Sequence, residues 1–222
     1  MASYDKGALI TRLFRLERDL SQRAWFDEVG EHNLTTSIEK EPGTLAMYST
    51  HMADQPQTCY VFEVYADEDA YNVHATSGQF QAFVNMAGQV LTGREVIPVH
   101  PELLLEKREP LRVTDGTVVR PRLARITVKP ECDAAFREAV FANMRASVVE
   151  EDGVLVLYAA TLANDASQWV FWEVYASDEA YAAHCATSHF KTYIAKTADC
   201  LLTKELFDLR ADTLVSKSEF VA

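Results

Sequence analysis

Two histidines, His74 and His184, stand 110 residues apart in a chain of 222, and the residues around each repeat with them. Each follows a tyrosine three positions earlier, Tyr71 and Tyr181, a spacing that puts both side chains on one helix face. Each also follows a Glu-Val-Tyr strand end, Glu63 to Tyr65 and Glu173 to Tyr175, and each half holds an asparagine in an otherwise apolar helical stretch, Asn33 and Asn143. Imidazole titrates nearest neutral pH, so His184 and His74 are the candidate bases, and Asn143 and Asn33 the candidate donors to a developing oxyanion. Glu173, Tyr175, Glu63 and Tyr65 share one face of their strands and are expected to frame a cavity, with Trp172, His189, Tyr181 and Tyr71 as further wall residues. Each has a structural reading as well. In that reading the histidines only orient a helix through a backbone carbonyl or a neighbouring glutamate, and Glu63 and Glu173 pair with Arg15 or Arg125 across the sheet.

The elements that must position these residues are written twice. Glu41 to Tyr48 lies over Glu151 to Tyr158 and Glu63 to Ala66 over Glu173 to Ala176; Phe80 matches Phe190, Arg12 matches Arg122, and Asn33 matches Asn143. One register held over this length is the mark of a tandem duplication. The repeats are expected at 1–108 and 109–222, joined within Pro101 to Gly116. In each, an alternating strand (Leu9 to Arg18, Val118 to Lys129) precedes a helix (Leu20 to Glu39, Asp133 to Glu150). Gly43 and Gly153 are expected to end the helices in a left-handed conformation. Two strands follow (Thr44 to Met52 with Thr58 to Ala66; Val154 to Leu162 with Trp169 to Ala176), joined by five-residue turns. Asp67 and Ser177 are natural N-caps for a second helix. That helix should break near Ser77-Gly78 and Thr187-Ser188, before a last strand at about Val96 to Leu105 and Leu206 to Leu214.

The order β-α-β-β-α-β is ferredoxin-like, and the fold class is α+β. A sheet with both helices on one face leaves the other face bare. The sister repeat is the expected cover, the two packing sheet to sheet as an intrachain dimeric α+β barrel. The chain leaves room for a further homodimer.

Composition narrows the function classes. Lys and Arg total 21 against 33 Asp and Glu, a net charge of −12 that disfavours nucleic acid and anionic membranes as partners. No apolar run is long enough to span a membrane and the first 25 residues lack a secretory h-region, so a cytoplasmic location is expected. The four cysteines form no CxxC pair. No histidine has an i,i+4 or H-x-H partner, so no metal is expected. With no phosphate-cradling glycine loop or dinucleotide fingerprint, no organic cofactor is expected either.

Both repeats resemble the antibiotic biosynthesis monooxygenase (ABM) family, which includes quinol monooxygenases. The resemblance rests on Glu63 to Phe80, on Glu173 to Phe190 and on the preceding Glu-Pro-Gly and Glu-Asp-Gly. It implies a cofactor-independent monooxygenase that oxidises a quinol or polyphenolic aromatic with O2, the protein supplying a base, oxyanion donors and a dry pocket. The second repeat is also similar to a branch that isomerises a small phosphorylated ketone, through Asn143 to Val148 and Thr187 to Thr192. That reading needs a cationic pocket, from Arg122, Arg125 and Arg145 or from Arg12 and Arg15. The residues of a haem-degrading branch are replaced by Phe14 or Ala124, Tyr65 or Tyr175, and Val84 or Ile194. A non-catalytic ligand-binding barrel is the third reading. Divergence between repeats, Cys59 against Trp169 and Gln79 against His189, points to the second as the working pocket.

Overall fold

The computed structural model describes residues 7–114 and 119–221; Val118, Gly116 and the charged Asp5 and Lys6 lie outside them. The first repeat runs β1 (Ile10–Arg18), α1 (Arg23–Lys40), β2 (Thr44–Met52), β3 (Thr58–Tyr65), α2 (Glu68–Thr76), α3 (Gly78–Val90) and β4 (Leu91–Glu106). A two-residue strand, β5 (Arg112–Val113), lies in the junction. The second runs β6 (Arg120–Val128), α4 (Asp133–Glu150), β7 (Val154–Leu162), β8 (Asp165–Tyr175), α5 (Asp178–Ala186), α6 (Ser188–Thr197) and β9 (Leu201–Ser216). The fold is α+β, with the order expected of each repeat. The caps hold as expected: the Asp67 carboxylate accepts from the Ala70 N–H and the Ser177 hydroxyl from the Ala180 N–H. The helix break comes where Ser77 and Thr187 leave helical conformation and cap the next helix.

Three expectations about local structure need correction. The last strands are far longer than expected, because each begins directly after its helix or helical turn and continues as strand, β4 through Pro98 and Pro101 and β9 through the charged stretch Lys204 to Asp212. The second hairpin turns over two residues, Ala163 and Asn164, since Leu162 pairs with Asp165, and the extra residues of β8 are taken up in a bulge before Trp169 pairs with Thr161. Finally, Gly43 and Gly153 are not left-handed, for no described glycine has positive φ.

What these two glycines provide is space. A Cβ on Gly43 would sit 2.4 Å from the Ala70 Cβ, and one on Gly153 would sit 2.5 Å from the Ala180 Cβ. The turn into the second strand thus lies directly on the first turn of α2 or α5, fixing the helix that carries His74 or His184. Gly43→Ala is expected to destabilise the fold by about 1–3 kcal/mol in urea denaturation, as overpacking against backbone-anchored atoms does. Gly78→Ala, which meets open space, should not.

Compactness divides the chain differently from the repeat: one unit comprises 1–98, 109–117 and 209–219, the other 99–108, 118–208 and 220–222. β4 and β9 therefore each contribute half their length to each unit. In the first unit the strand order is β9-β2-β3-β1-β4, with β9 pairing β2 from Leu209 to Ser216. In the second it is β4-β7-β8-β6-β9, with β4 pairing β7 from Val99 to Glu106. Every residue of β3 is buried, so both sheet faces are covered there.

The helices of each unit seal an apolar layer over one sheet face. In the first unit Phe26 of α1 and Met86 and Val90 of α3 pack on Leu16, Cys59 and Val61. In the second, Phe136, Val140 and Met144 of α4 pack on Ile126, Trp169 and Phe171. Complete burial of a side chain of this size contributes roughly 1.5–3 kcal/mol.

Candidate active site

Alternation along β3 turns Val61, Glu63 and Tyr65 to the helix side, as expected, and Phe171, Glu173 and Tyr175 of β8 do the same. Trp172 points the other way. It is fully buried opposite Tyr158 and Leu123 and lines no described cavity.

The first unit holds a cavity of about 580 Å³ between its sheet and α1 and α3. Its walls are apolar and largely aromatic, with Phe14, Leu16, Phe26, Phe80 and Phe83 among them, and its polar groups are few: Asn33, Ser49, Glu63, Tyr71, Thr92 and Arg94. The corresponding space in the second unit has a volume of about 70 Å³. Substitutions along the register explain the difference. Gly30 is replaced by Val140, Val61 by Phe171 and Cys59 by Trp169, whose ring stacks on Phe171 at 5.8 Å. Trp169, the aromatic residue that distinguishes the second repeat, is buried in the layer against Phe171 and lines neither space, and Phe171 narrows the smaller one. Small-molecule sites run to roughly 300–1,000 Å³, and only the first cavity falls in that range.

Glu63 is the ionisable acid in the wall of this cavity. Burial raises its pKa above the ordinary carboxylate range, against the opposing pull of His74 and of the Tyr65 hydroxyl, which donates to it over 2.8 Å. It does not pair with Arg15, which bonds Glu17; the residue opposite it across the sheet is Arg12, whose guanidinium lies 3.8 Å over the Tyr71 ring. Glu173 has the same surroundings: burial raises its pKa, Tyr175 donates at 2.9 Å, and Arg122, opposite it in place of Arg125, covers Tyr181. Removing the Tyr65 hydroxyl takes away a bond that favours the charged form, so Tyr65→Phe should raise the Glu63 pKa further. The acid limb of a pH–rate profile, or a carboxyl carbon NMR titration, should move to higher pH.

Asn33 is 2% exposed, and its Oδ1 has no hydrogen-bond partner. A buried amide oxygen left in this state costs free energy unless a ligand satisfies it, and this one belongs to a residue of the cavity wall. Asn143 Oδ1 is unpartnered likewise, beside the smaller pocket.

The histidines lie behind these walls. His74 is completely buried, with Nδ1 3.1 Å from the Glu41 carboxylate and its ring between Tyr65 and Phe80; Nε2 has no partner. It is absent from the lining of the large cavity. Burial pushes the Glu41 carboxyl up, but hydrogen bonds from His74, Thr44 and Ser37 outweigh it and hold the pKa low, so Glu41 is a stable carboxylate. Gln79 also donates to it, at 2.6 Å. In the second repeat His184 Nδ1 lies 2.9 Å from Glu151, and His189, at the position of Gln79, brings its Nε2 to 2.7 Å from the same oxygen.

Each unit is thus an α+β layer structure in which a Glu–His pair backs a buried Glu–Tyr pair. The chain belongs to the antibiotic biosynthesis monooxygenase family, whose sequence model matches residues 14–86 and again 122–196. Among solved structures, a proposed monooxygenase from Lactobacillus acidophilus NCFM superposes with a TM-score of 0.89 at 28% identity, over 95% of this chain and 97% of its own. A second proposed monooxygenase, from Fusobacterium nucleatum, gives 0.86 at 21% identity over 95% of each chain. An anthrone oxidase-like protein gives 0.58 at 12% identity, over 98% of this chain and 96% of its own. The last two speak to the fold alone. Comparison with curated protein sequences finds no match.

Glu41 and Glu151 are not among the expected site residues, although both repeat in register before Gly43 and Gly153, and they are the glutamate partners of the buried histidines. Gly30, Phe83 and Arg94 also line the larger cavity without having been expected there. These are scattered across α1, α3 and β4, and no local pattern joins them.

Proposed function

We propose that this protein is a monooxygenase that oxidises a quinol or polyphenolic aromatic with O2, without an organic cofactor, in the cavity of the first unit. The observation that carries the reading is that cavity: about 580 Å³, aromatic-walled, with a buried carboxylate of raised pKa and a residue with a buried, unsatisfied amide oxygen, Asn33, in its wall.

Glu63 takes the role expected for His74. As the ionisable acid in the wall, with its pKa raised by burial, it accepts the proton of an acidic phenol or of a methylene flanked by aromatic rings. The Asn33 amide binds a substrate hydroxyl through its oxygen and, rotated, donates to the oxyanion through its NH2. His74, held by Glu41, supports the Glu63 charge from behind the wall. The apolar walls exclude water from the anion. The anion passes an electron to O2, the radical pair combines to a hydroperoxide, and loss of water leaves a new carbonyl: one oxygen atom enters the product and the other leaves as water.

The isomerase reading is less well supported. Arg94 is the one cation in the larger cavity's lining, and Arg122 and Lys204 adjoin the space of about 70 Å³. Arg145 lies over Phe141 and Arg15 is paired with Glu17, and neither lines either space. The test is product mass after turnover of reduced naphthoquinols and anthrones under 18O2, corrected for autoxidation. One labelled oxygen per product is expected; an unlabelled isomer, or no product on any substrate, would refute the reading.

A further inference from the structure

The second repeat carries a cluster that the first lacks. Glu151 caps the C-terminus of α4, His184 sits on α5 and His189 in the first turn of α6. His184 Nδ1 and His189 Nε2 converge on one Glu151 oxygen at 2.9 and 2.7 Å, and the three ligand atoms all lie within 4.8 Å of one another. We propose that Glu151, His184 and His189 form a binding site for a borderline divalent transition-metal ion, with Zn2+ as the reference ligand.

Two imidazole nitrogens and one carboxylate are a donor set that such ions favour over Mg2+ or Ca2+. Metal–nitrogen and metal–oxygen bonds of roughly 2.0–2.2 Å set ligand atoms somewhat over 3 Å apart in a tetrahedral site. Turning the Glu151 carboxylate slightly away from the imidazoles makes that room. The field is favourable: Glu150 and Asp152 flank the ligand in sequence, and the α4 C-terminus presents the negative end of its dipole. Access is available, since a recess of about 280 Å³ lined by His189, Glu150, Asn143 and Lys196 opens beside the site. Water from this recess supplies the fourth ligand. The spacing of the histidines, five residues apart across the break between α5 and α6, is not one that a helix presents on one face, and it conceals the site in the sequence.

The first repeat supplies the control. There Gln79 replaces His189 and donates its amide to Glu41 at 2.6 Å, which satisfies the carboxylate but gives a poor ligand. His189→Gln should therefore keep the fold, because glutamine at this position already works in the sister repeat. The experiment is calorimetric titration of the chelator-treated full chain with Zn2+, and cobalt(II) absorption for ligand type. We expect one Zn2+ per chain with submicromolar Kd, a rise in Tm on binding, and a loss in affinity on the order of 100-fold or more in His189→Gln. The cobalt spectrum should show nitrogen and oxygen ligands only. Absence of binding, unchanged affinity in the variant, or a thiolate charge-transfer band, which would place the ion at a cysteine such as Cys185 or the Cys132 and Cys200 pair, would each overturn the proposal. Oxygenation in the first unit does not depend on this site and should survive its removal.

Discussion

Glu63→Gln is expected to lower kcat by about 10²–10⁴-fold, the usual contribution of a positioned general base, with a much smaller change in KM because the amide keeps the size of the side chain. The pH dependence carries more information than the loss itself. Below its folded pKa Glu63 is protonated and cannot accept a proton, so activity should fall as pH falls through that value, and burial sets the limb above the ordinary carboxylate range. The variant should lack the limb. Stability should respond in the opposite sense. A carboxyl whose pKa is raised by folding contributes stability that is fully present below its unfolded pKa and is lost as pH rises through the folded one. Glutamine cannot ionise, so at neutral pH the variant should denature at or above the midpoint of the native chain. An inactive protein that is no less stable is what a functional, strained carboxylate yields. Glu173→Gln, beside the smaller pocket, should leave turnover nearly unchanged, and equal losses in the two variants would contradict the assignment.

The double variant Gly30→Val, Val61→Phe transfers to the first unit two of the residues that fill the second, Val140 and Phe171. It should reduce kcat/KM by on the order of 100-fold or more, since a bicyclic substrate needs a site of roughly 300 Å³ or larger. The change is gentle on the fold. A Cβ at Gly30 meets the Phe83 ring at 4.0 Å, an ordinary contact, and glycine is the poorer helix former of the two. Steady-state oxygen uptake with a urea titration on the same sample separates the effects: activity lost with the midpoint kept supports the cavity as the site, and full activity would exclude it.

What could be read from the sequence, and what could not, follows from the range of the interactions. The duplication, the element order, the Asp67 and Ser177 caps and the helix breaks are local patterns and were all legible. So was the inward face of Glu63 and Tyr65, because strand alternation is local too. The role of Gly43 is not legible, because its constraint is a contact with Ala70, 27 residues away, and not its own φ. The exchange of β4 and β9 between compact units depends on pairings such as Ala46 with Ser216, which leave no trace in either segment alone. The difference in pocket volume escapes the sequence for a related reason: aromatic residues at a wall position look the same in sequence whether they line a cavity or fill it. Their volume relative to Gly30 or Val140 across the layer decides, and that comparison needs the packed structure.

The measurement that tests the central claim most directly is a crystal structure of the chain with a non-oxidisable product analogue, such as a hydroxylated naphthoquinone or anthraquinone. The analogue is expected between Phe14, Phe26 and Phe83, with an oxygen within hydrogen-bond reach of Glu63 or Asn33, and the second unit's pocket should be free of it. An analogue bound in the second unit beside Glu173, or excluded from the first cavity at saturating concentration, would contradict the account.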